Sequence, residues 1–180
     1  MRALPGGGGK RGLTGPGGMK AVWRPLLAIT LPILILDQLS KFWIRNYLTQ
    51  SSDIMLIPNW LDITYTLNPG AAFSLLASAP AWVREWFLVA LSLIAIVVLV
   101  VMLARDAQSR LVSSALALIL AGAIGNLIDR LWWGRVTDFI LMHYYSHNYP
   151  VFNVADSAIT IGVVLLLISS AIAQPSPASQ

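Results

Sequence analysis

The sequence predicts a mainly α-helical membrane protein, a bundle of four transmembrane helices with a small β-sheet in the first loop on the outer side. Three observations support this fold class. The 180 residues are 57% apolar and only 11% charged, whereas a soluble domain carries about 25% charged residues. Four apolar segments approach the length of a bilayer crossing. One loop between them alternates apolar and polar residues as a β-strand does.

The four apolar segments match the length that a spanning helix needs, roughly 20 residues at a rise of about 1.5 Å each. The second carries no charge, the third ends at Asp129 and Arg130, and Asp37 and Lys41 interrupt the first. The segments are residues 25–44, 86–104, 111–128 and 154–173. We therefore predict four spans, of which the first is the least regular.

The N-terminal stretch is expected to lie outside the folded domain. Residues 1–20 contain eight of the thirteen glycines and four basic residues but no acid, which is typical of a disordered tail. It lacks a signal-peptide pattern, because the apolar run begins only near Leu26 and no small-residue cleavage site follows. Met19 is an alternative start. Residues 21–174 then form a single four-helix membrane domain, and 175–180 a short tail.

The basic residues predict that both termini lie in the cytoplasm, since Lys and Arg are enriched on that side of a membrane. Seven of them precede the first segment or lie between the second and third, against five on the other side. Without the residues before Met19 the counts are four and five. The net charge of +4 comes largely from the tail, and we interpret it as an orientation signal and not as a site for nucleic acid.

The first outer loop, residues 45–84, contains the strand pattern. In LDITYTL (61–67) the apolar Leu61, Ile63, Tyr65 and Leu67 alternate with polar residues, and Asn68-Pro69-Gly70 predicts a turn at the end. A small amphipathic sheet on the outer membrane surface is expected. Five tryptophans near the predicted interfaces indicate an aromatic belt: Trp60, Trp82, Trp86, Trp132 and Trp133.

Several polar residues occur inside or beside the apolar segments, where charges are costly. Asp37 and Lys41 are four residues apart and can pair on one helix face; the pair would either fix the first helix or contact a substrate. Asn126 follows small residues spaced for close helix contact, so it should point into the bundle. Arg130 is the natural partner for Asp129, and the pair would hold the end of the helix.

Asp138 and Asp156 allow two interpretations. Asn153 can be the N-cap of the fourth helix, which would make Asp156 a residue that caps its first turn. That interpretation leaves Asp138 unexplained. Alternatively, the two carboxylates share one proton in a shielded pocket near the outer interface, so that one acts as base and the other as acid. This is the chemistry of an aspartic peptidase.

The sequence also allows chemistries other than the carboxylate pair. His143 and His147 have a metal-like spacing, with Asp138 as a third ligand, but this pattern alone is weak. A serine–lysine hydrolase would need Lys41, yet its neighbour Ser40 points elsewhere on a helix. A proton-coupled carrier or channel would use Asp37, Asp129, Asp138 and Asp156 as a relay. A membrane scaffold without catalysis is a further alternative. The chain has no cysteine, which excludes thiol catalysis and disulfides.

Five short blocks, taken together, resemble the signature motifs of the lipoprotein signal peptidase (signal peptidase II) family. They are DQLSK (37–41), NPGAAFS (68–74), GNLIDR (125–130), VTDFI (136–140) and FNVADSAI (152–159), in the order of the family. Each block is weak alone, but five in order on a four-span chain are specific. Pro69, where Thr is common, and Ala121, where Gly is common, depart from the family pattern.

The resemblance implies a bacterial inner-membrane aspartic peptidase, with no metal and no cofactor, that cleaves prolipoproteins just before a diacylglyceryl-modified cysteine. It implies Asp138 and Asp156 as the catalytic pair, and it places Asp37 and Asp129 at other motif positions. It also implies a monomer in contact with membrane lipid and inhibited by globomycin-like cyclic peptides, with no nucleic-acid partner. The residues expected at the substrate are Asn68, Gly122, Asn126, Arg130, Asn153 and Ala155.

Overall fold

The computed structural model describes residues 23–50, 52–70, 79–105, 109–145 and 147–173. The predicted tails at 1–20 and 175–180 lie outside these residues, as does most of the NPGAAFS block. Four helices in the described part are long and apolar enough to cross a membrane, which confirms the predicted bundle. They are α1 (Trp23–Tyr47), α2 (Ala81–Leu103), α3 (Arg110–Trp133) and α4 (Val154–Ala173).

Two helices extend further toward the sheet than the apolar segments predicted. α2 begins at Ala81 and therefore contains Arg84, and α3 continues to Trp133. Hydropathy marks the part of a helix that sits in hydrocarbon, whereas hydrogen bonding decides where the helix ends. For α3 the end is Gly134, whose left-handed backbone (φ 67°) directs its N–H to the carbonyl of Arg130.

The first span begins with an irregular turn, which is distinct from its interruption by Asp37 and Lys41. Residues Leu26–Thr30 form a π-helical turn, and the N–H of Leu31 donates to the carbonyl of Leu26. Pro32 follows in the next turn; it has no N–H, and its ring crowds the carbonyl four residues earlier. The wider turn accommodates this defect, and α1 then continues as a regular α-helix from Leu31 to Tyr47.

α3 is the central helix of the bundle. In the most apolar 18-residue stretch of α3, 50% is buried inside the protein. The corresponding buried share is 22% or less in each of the other three spans. Glycines let α4 approach it closely: a Cβ at Gly122 would collide with the carbonyl oxygen of Ala155, and one at Gly162 would lie 2.7 Å from that of Ala115. This close contact brings the start of α4 against the last turns of α3.

Four antiparallel strands cover one end of the bundle, in the order β1-β2-β3-β4. They are β1 (Ile54–Ile57), β2 (Leu61–Asn68), β3 (Val136–Tyr144) and β4 (His147–Asn148). The predicted strand at 61–67 is confirmed as β2. The sheet also extends beyond the first loop, because β3 and β4 come from the connection between α3 and α4. The nearly continuous apolar run of β3 gave no alternation from which to recognise a strand.

The predicted one-sided burial of β2 is only partly present. The most buried residue of the strand is the polar Thr64, 8% exposed, and the pairing with β3 shifts register between Ile63 and Thr66. Such a bulge redirects side chains that strict alternation would place on one face. The register beyond the bulge sets Thr66 opposite Asp138, so the sheet carries that acid to the end of the bundle.

Candidate active site

Asp156 lies in the first turn of α4 and forms a reciprocal cap with Asn153. The N–H of Asp156 donates to Asn153 Oδ1 at 2.9 Å, and the N–H of Asn153 donates to Asp156 Oδ2 at 3.2 Å. This is the pattern of a capping box, so the predicted cap is present. The cap occupies Oδ2 of the carboxylate, and Oδ1 is bound by a different residue.

Asp138 lies on β3 and is 2% exposed. Its two carboxylate oxygens accept hydrogen bonds from two amides, from Asn153 Nδ2 to Oδ1 at 2.7 Å and from Asn68 Nδ2 to Oδ2 at 2.9 Å. Asn68 ends β2, where its own Oδ1 accepts from the N–H of Gly70. The predicted turn at the end of the strand therefore also orients a donor to Asp138.

Amide side chains join the two acids. Asn126, on α3, donates from Nδ2 to Asp156 Oδ1 at 2.8 Å. Its Oδ1 accepts from Asn153 Nδ2 at 3.2 Å, and the same nitrogen of Asn153 donates to Asp138. The structure thus brings together Asn68, Asn126, Asp138, Asn153 and Asp156, which are separate in the sequence. Among the described residues, each oxygen of the two carboxylates accepts a hydrogen bond.

The environment of Asp138 favours a carboxyl group that titrates near neutrality. Burial raises the pKa of Asp138 to about 6, and the charge of Asp156 acts in the same direction. Hydrogen bonds from Asn68 and Asn153 and the charge of Lys41 oppose the rise. Two acids that interact in this way can hold one proton between them, which is the arrangement needed for combined acid and base catalysis.

A buried ion network lies beneath the two acids. Lys41 Nζ is 2.9 Å from Asp37 Oδ2 and 3.3 Å from Asp129 Oδ2, and all three side chains are fully buried. The predicted pairing of Asp37 with Lys41 is present. The predicted partner of Asp129 was wrong: Arg45 of α1 pairs with it, and Arg130 Nη1 donates instead to the carbonyl of Asn126.

Sequence reasoning missed Arg45 and Thr137 as members of this network. Arg45 Nε donates to Thr137 Oγ1 at 2.8 Å, and its guanidinium lies over the ring of Trp133. The spacing of Asp37, Lys41 and Arg45 by four places all three on one face of α1, a signal that was available. Thr137 carried no such signal, since its role depends on the position of β3.

The remaining predicted substrate residues contribute mainly to packing in this structure. Gly122 permits the contact with the backbone of Ala155 described above, and Ala155 is fully buried. The N–H of Ala155 donates to Asp37 Oδ1 at 2.9 Å. These two small residues therefore set the distance between α3 and α4, whereas Asn68, Asn126 and Asn153 contact the acids themselves.

The alternative chemistries find little support in this geometry. His143 and His147 lie on adjacent strands of a hairpin, and His143 Nε2 is 3.1 Å from Asp62 Oδ2, not beside Asp138. Among the described residues, no group of three or more His, Cys, Asp or Glu side chains could hold a metal ion. The Ser40 hydroxyl donates to the carbonyl of Asp37, so it is not aligned for activation by Lys41.

A groove of about 820 Å³ leads to Asp156. It runs between the β3–β4 hairpin and the first turns of α4, and most of its surface is apolar. Tyr144 and Tyr149 line it on the hairpin side, and Thr160 and Ile161 on the helix side. The groove is large enough for an extended apolar ligand whose polar end meets the carboxylate.

Comparisons with known proteins agree with this arrangement. A family model described as signal peptidase (SPase) II matches residues 29–172. The lipoprotein signal peptidase of Pseudomonas putida is 45% identical over 142 residues, 78% of this chain and 82% of the relative. That of Burkholderia thailandensis is 43% identical over 151 residues, 84% of this chain and 88% of the relative.

Two solved structures of bacterial membrane enzymes, obtained by the in meso method, share the fold. One is 34% identical with a TM-score of 0.74 and covers 82% of this chain and 93% of its own. The other is 32% identical with a TM-score of 0.72 and covers 85% and 93%.

Proposed function

The chain belongs to the signal peptidase II family, and on this premise we propose that it is an aspartic endopeptidase of the membrane. Its substrates are diacylglyceryl-modified prolipoproteins, and it removes their signal peptides by cutting just before the lipidated cysteine. The observation that carries the proposal is the pair Asp138 and Asp156, joined through Asn126 and Asn153 at the end of an apolar groove.

The mechanism follows from two carboxylates that share one proton. The ionised carboxylate removes a proton from water as the water oxygen attacks the carbonyl carbon of the scissile bond. The protonated carboxyl donates its proton to the carbonyl oxygen, which gives a neutral tetrahedral diol. One carboxyl then protonates the leaving amine while the other accepts a hydroxyl proton, and the C–N bond breaks. No covalent intermediate with the enzyme forms.

The fold suits a substrate that is itself anchored in the bilayer. The signal peptide is an apolar helix, and its scissile bond must meet water at the membrane surface. We place the enzyme in the bacterial inner membrane with both termini in the cytoplasm and with the sheet and the acids near the outer, periplasmic face. We expect a monomer that contacts membrane lipid and is inhibited by globomycin-like cyclic peptides that occupy the same acids. Asn68 and Arg130 are the side chains we expect at the substrate backbone.

A proton-coupled carrier is a weaker proposal. A relay needs groups that can release and rebind protons, whereas Asp37 and Asp129 are engaged in ion pairs with Lys41 and Arg45. In the described part of the chain, the hydrogen bonds to Asp138 and Asp156 come from side-chain amides and one backbone N–H. Proton flux in liposomes without peptide cleavage would favour the carrier, and indifference to every Asp substitution would favour a scaffold.

The decisive experiment compares Asp138→Asn, Asp156→Asn and the double variant in turnover of a lipidated prolipoprotein peptide, with EDTA present throughout. Asn keeps the shape but cannot exchange a proton, so each single variant should lose at least about 10² to 10⁴ in kcat. The double variant should be scarcely worse, since the residues act as one unit. Asn caps a helix about as well as Asp; near-normal cleavage by folded Asp156→Asn would leave Asp156 only a cap.

A further inference from the structure

Lys41 occupies an unusual position for a lysine in a membrane helix. It is fully buried, and its ammonium group meets three acceptors, Asp37 Oδ2 at 2.9 Å, Asn126 Oδ1 at 3.1 Å and Asp129 Oδ2 at 3.3 Å. An ammonium has three protons, so each can be matched to one acceptor. The group is therefore held from α1 and from α3 at once.

The two carboxylates beside Lys41 have matching second contacts. Asp37 Oδ1 accepts from the N–H of Ala155 at 2.9 Å, and Asp129 Oδ2 accepts from the N–H of Thr137 at 2.9 Å. Ala155 directly precedes Asp156, and Thr137 directly precedes Asp138. The neutralising cation is thus shared by two acids, each of which fixes the peptide N–H just before one of the candidate catalytic residues.

The third contact of Lys41 decides which way the Asn126 amide points. Asn126 Oδ1 receives Lys41 Nζ and Asn153 Nδ2, both of which can only donate. The amide nitrogen is therefore left for Asp156 Oδ1, at 2.8 Å. If the amide turned over, an oxygen would face the Asp156 carboxylate and an NH₂ group would face the ammonium, and both contacts would be repulsive.

We propose that Lys41 is a positioning residue for both catalytic aspartates, because it orients the Asn126 amide and neutralises the two acids that hold the backbone before Asp138 and Asp156. The inference rests on the proposed function. Stability alone does not account for such a network, since well-packed apolar residues often replace a buried ion network at no loss of stability. Lys41 contacts neither Asp138 nor Asp156 and takes no part in the chemical step.

Two effects of removing Lys41 can be separated, one on orientation and one on charge. Without its donor the Asn126 amide loses the contact that fixes it, and kcat falls. The charge of Lys41 also affects the pKa of Asp138. Burial and the charge of Asp156 raise this pKa, whereas Asn68, Asn153 and Lys41 lower it, so removing Lys41 should raise it further. Arg130 is a further charge that faces the pair. The alkaline limit of activity should therefore move to higher pH.

The experiment uses the full chain in detergent and the lipidated peptide assay, with kcat and the pH profile of kcat/KM as readouts. Lys41→Met should lower kcat on the order of 100-fold and shift the alkaline limb of the kcat/KM profile to higher pH. Lys41→Gln restores a donor but no charge, so kcat should recover in part while the limb stays shifted. Asp37→Asn/Lys41→Met, which removes one charge of each sign, replaces Lys41→Met if that variant does not fold. Thr30→Val is the matched control, since it removes the buried bond from Thr30 Oγ1 to Ala117 O between the same helices.

Thr30→Val should keep kcat within about threefold, as expected for an interaction outside the site, with an unmoved limb. The proposal is overturned if folded Lys41 variants keep the wild-type kcat and the wild-type pH profile. It is also overturned if they lose activity while the alkaline limb of the pH profile stays in place and Lys41→Gln recovers no kcat. These outcomes require a wild type that cleaves the peptide. Absence of cleavage by wild type would count against the proposed function itself.

Discussion

Asn153 serves both interpretations that the sequence left open for Asp156. Its Oδ1 caps α4, and its Nδ2 donates to Asp138. An amide has an acceptor on one side and donors on the other, so one residue can end a helix and hold a carboxylate at the same time. The cap and the carboxylate pair are therefore compatible. The cap uses Oδ2 of Asp156, and the partner of its Oδ1, Asn126, is what distinguishes a purely structural acid from one placed for chemistry.

The raised pKa of Asp138 makes a prediction about pH. In the proposed mechanism the pair loses its shared proton as the pH rises past the pKa of Asp138, about 6, so kcat/KM should fall with rising pH. Asn68→Ala removes a donor that lowers this pKa, and the fall should begin at higher pH. Thr66→Val, opposite Asp138 in the sheet, is the control and should leave the limb unmoved. A limb that stays in place in Asn68→Ala would mean that Asp138 is not the group that titrates.

The same shift has a defined effect on stability. A carboxyl group whose pKa is raised by folding binds its proton more tightly in the folded state. Its contribution to stability is therefore fully present below the ordinary pKa of 3.8 and is lost as the pH rises to about 6. Asp138→Asn should remove this pH-dependent loss of stability. Denaturant titration of wild type and variant at pH 4 and pH 7 would measure the free energy of unfolding.

The contact between α3 and α4 determines how the elements present the site. Gly122 lies one turn before Asn126, and its contact is the carbonyl of Ala155, beside Asp156. A side chain at position 122 would collide with backbone atoms, which cannot move aside as a flexible side chain can. The distance between Asn126 and Asp156 therefore depends on the absence of a Cβ at Gly122.

Gly122→Ala should separate the helices and reduce both stability and activity. Overpacking typically costs about 1 to 3 kcal/mol, and kcat should fall because Asn126 no longer reaches Asp156. Gly162→Ala is the matched control: its Cβ would meet the carbonyl of Ala115, in the same interface but about 9 Å along α4 from Asp156. Both should unfold more easily, and only Gly122→Ala should lose most of its kcat. Equal losses of kcat would show that the site does not depend on this local contact.

At the scale of the whole molecule, the sheet and five exposed tryptophans lie at the same end of the bundle. The last residues of α1 and α3 and the first residues of α2 and α4 lie at the same end of the bundle, because the four helices alternate in direction. The tryptophans predicted for the belt are each more than half exposed, and they lie near this end: Trp60, Trp82, Trp86, Trp132 and Trp133. Ile44 of α1 and Leu48, directly after that helix, pack with Phe139 of β3 and attach the sheet to the bundle.

The proposed orientation can be tested directly, because the chain contains no cysteine. Met55→Cys, on the exposed strand β1, should react with a membrane-impermeant maleimide added to intact spheroplasts. Ser109→Cys, exposed at the start of α3, should react only after permeabilisation. Both positions leave the basic residues that set orientation unchanged. Labelling in the reverse pattern would place the sheet and the acids in the cytoplasm.

The sequence by itself determined the four spans and the strand β2, and it marked the cap at Asn153 and the two candidate acids. These depend on local hydropathy, on alternation and on short motifs, all of which act between neighbours in the chain. The tertiary structure decided which polar groups meet. Asp129 pairs with Arg45 and Lys41 of α1 rather than with its neighbour Arg130, and β3 pairs with a strand some seventy residues away. Buried charges and strand edges take the partner that the packing of the whole chain brings within reach, and local sequence does not record that partner.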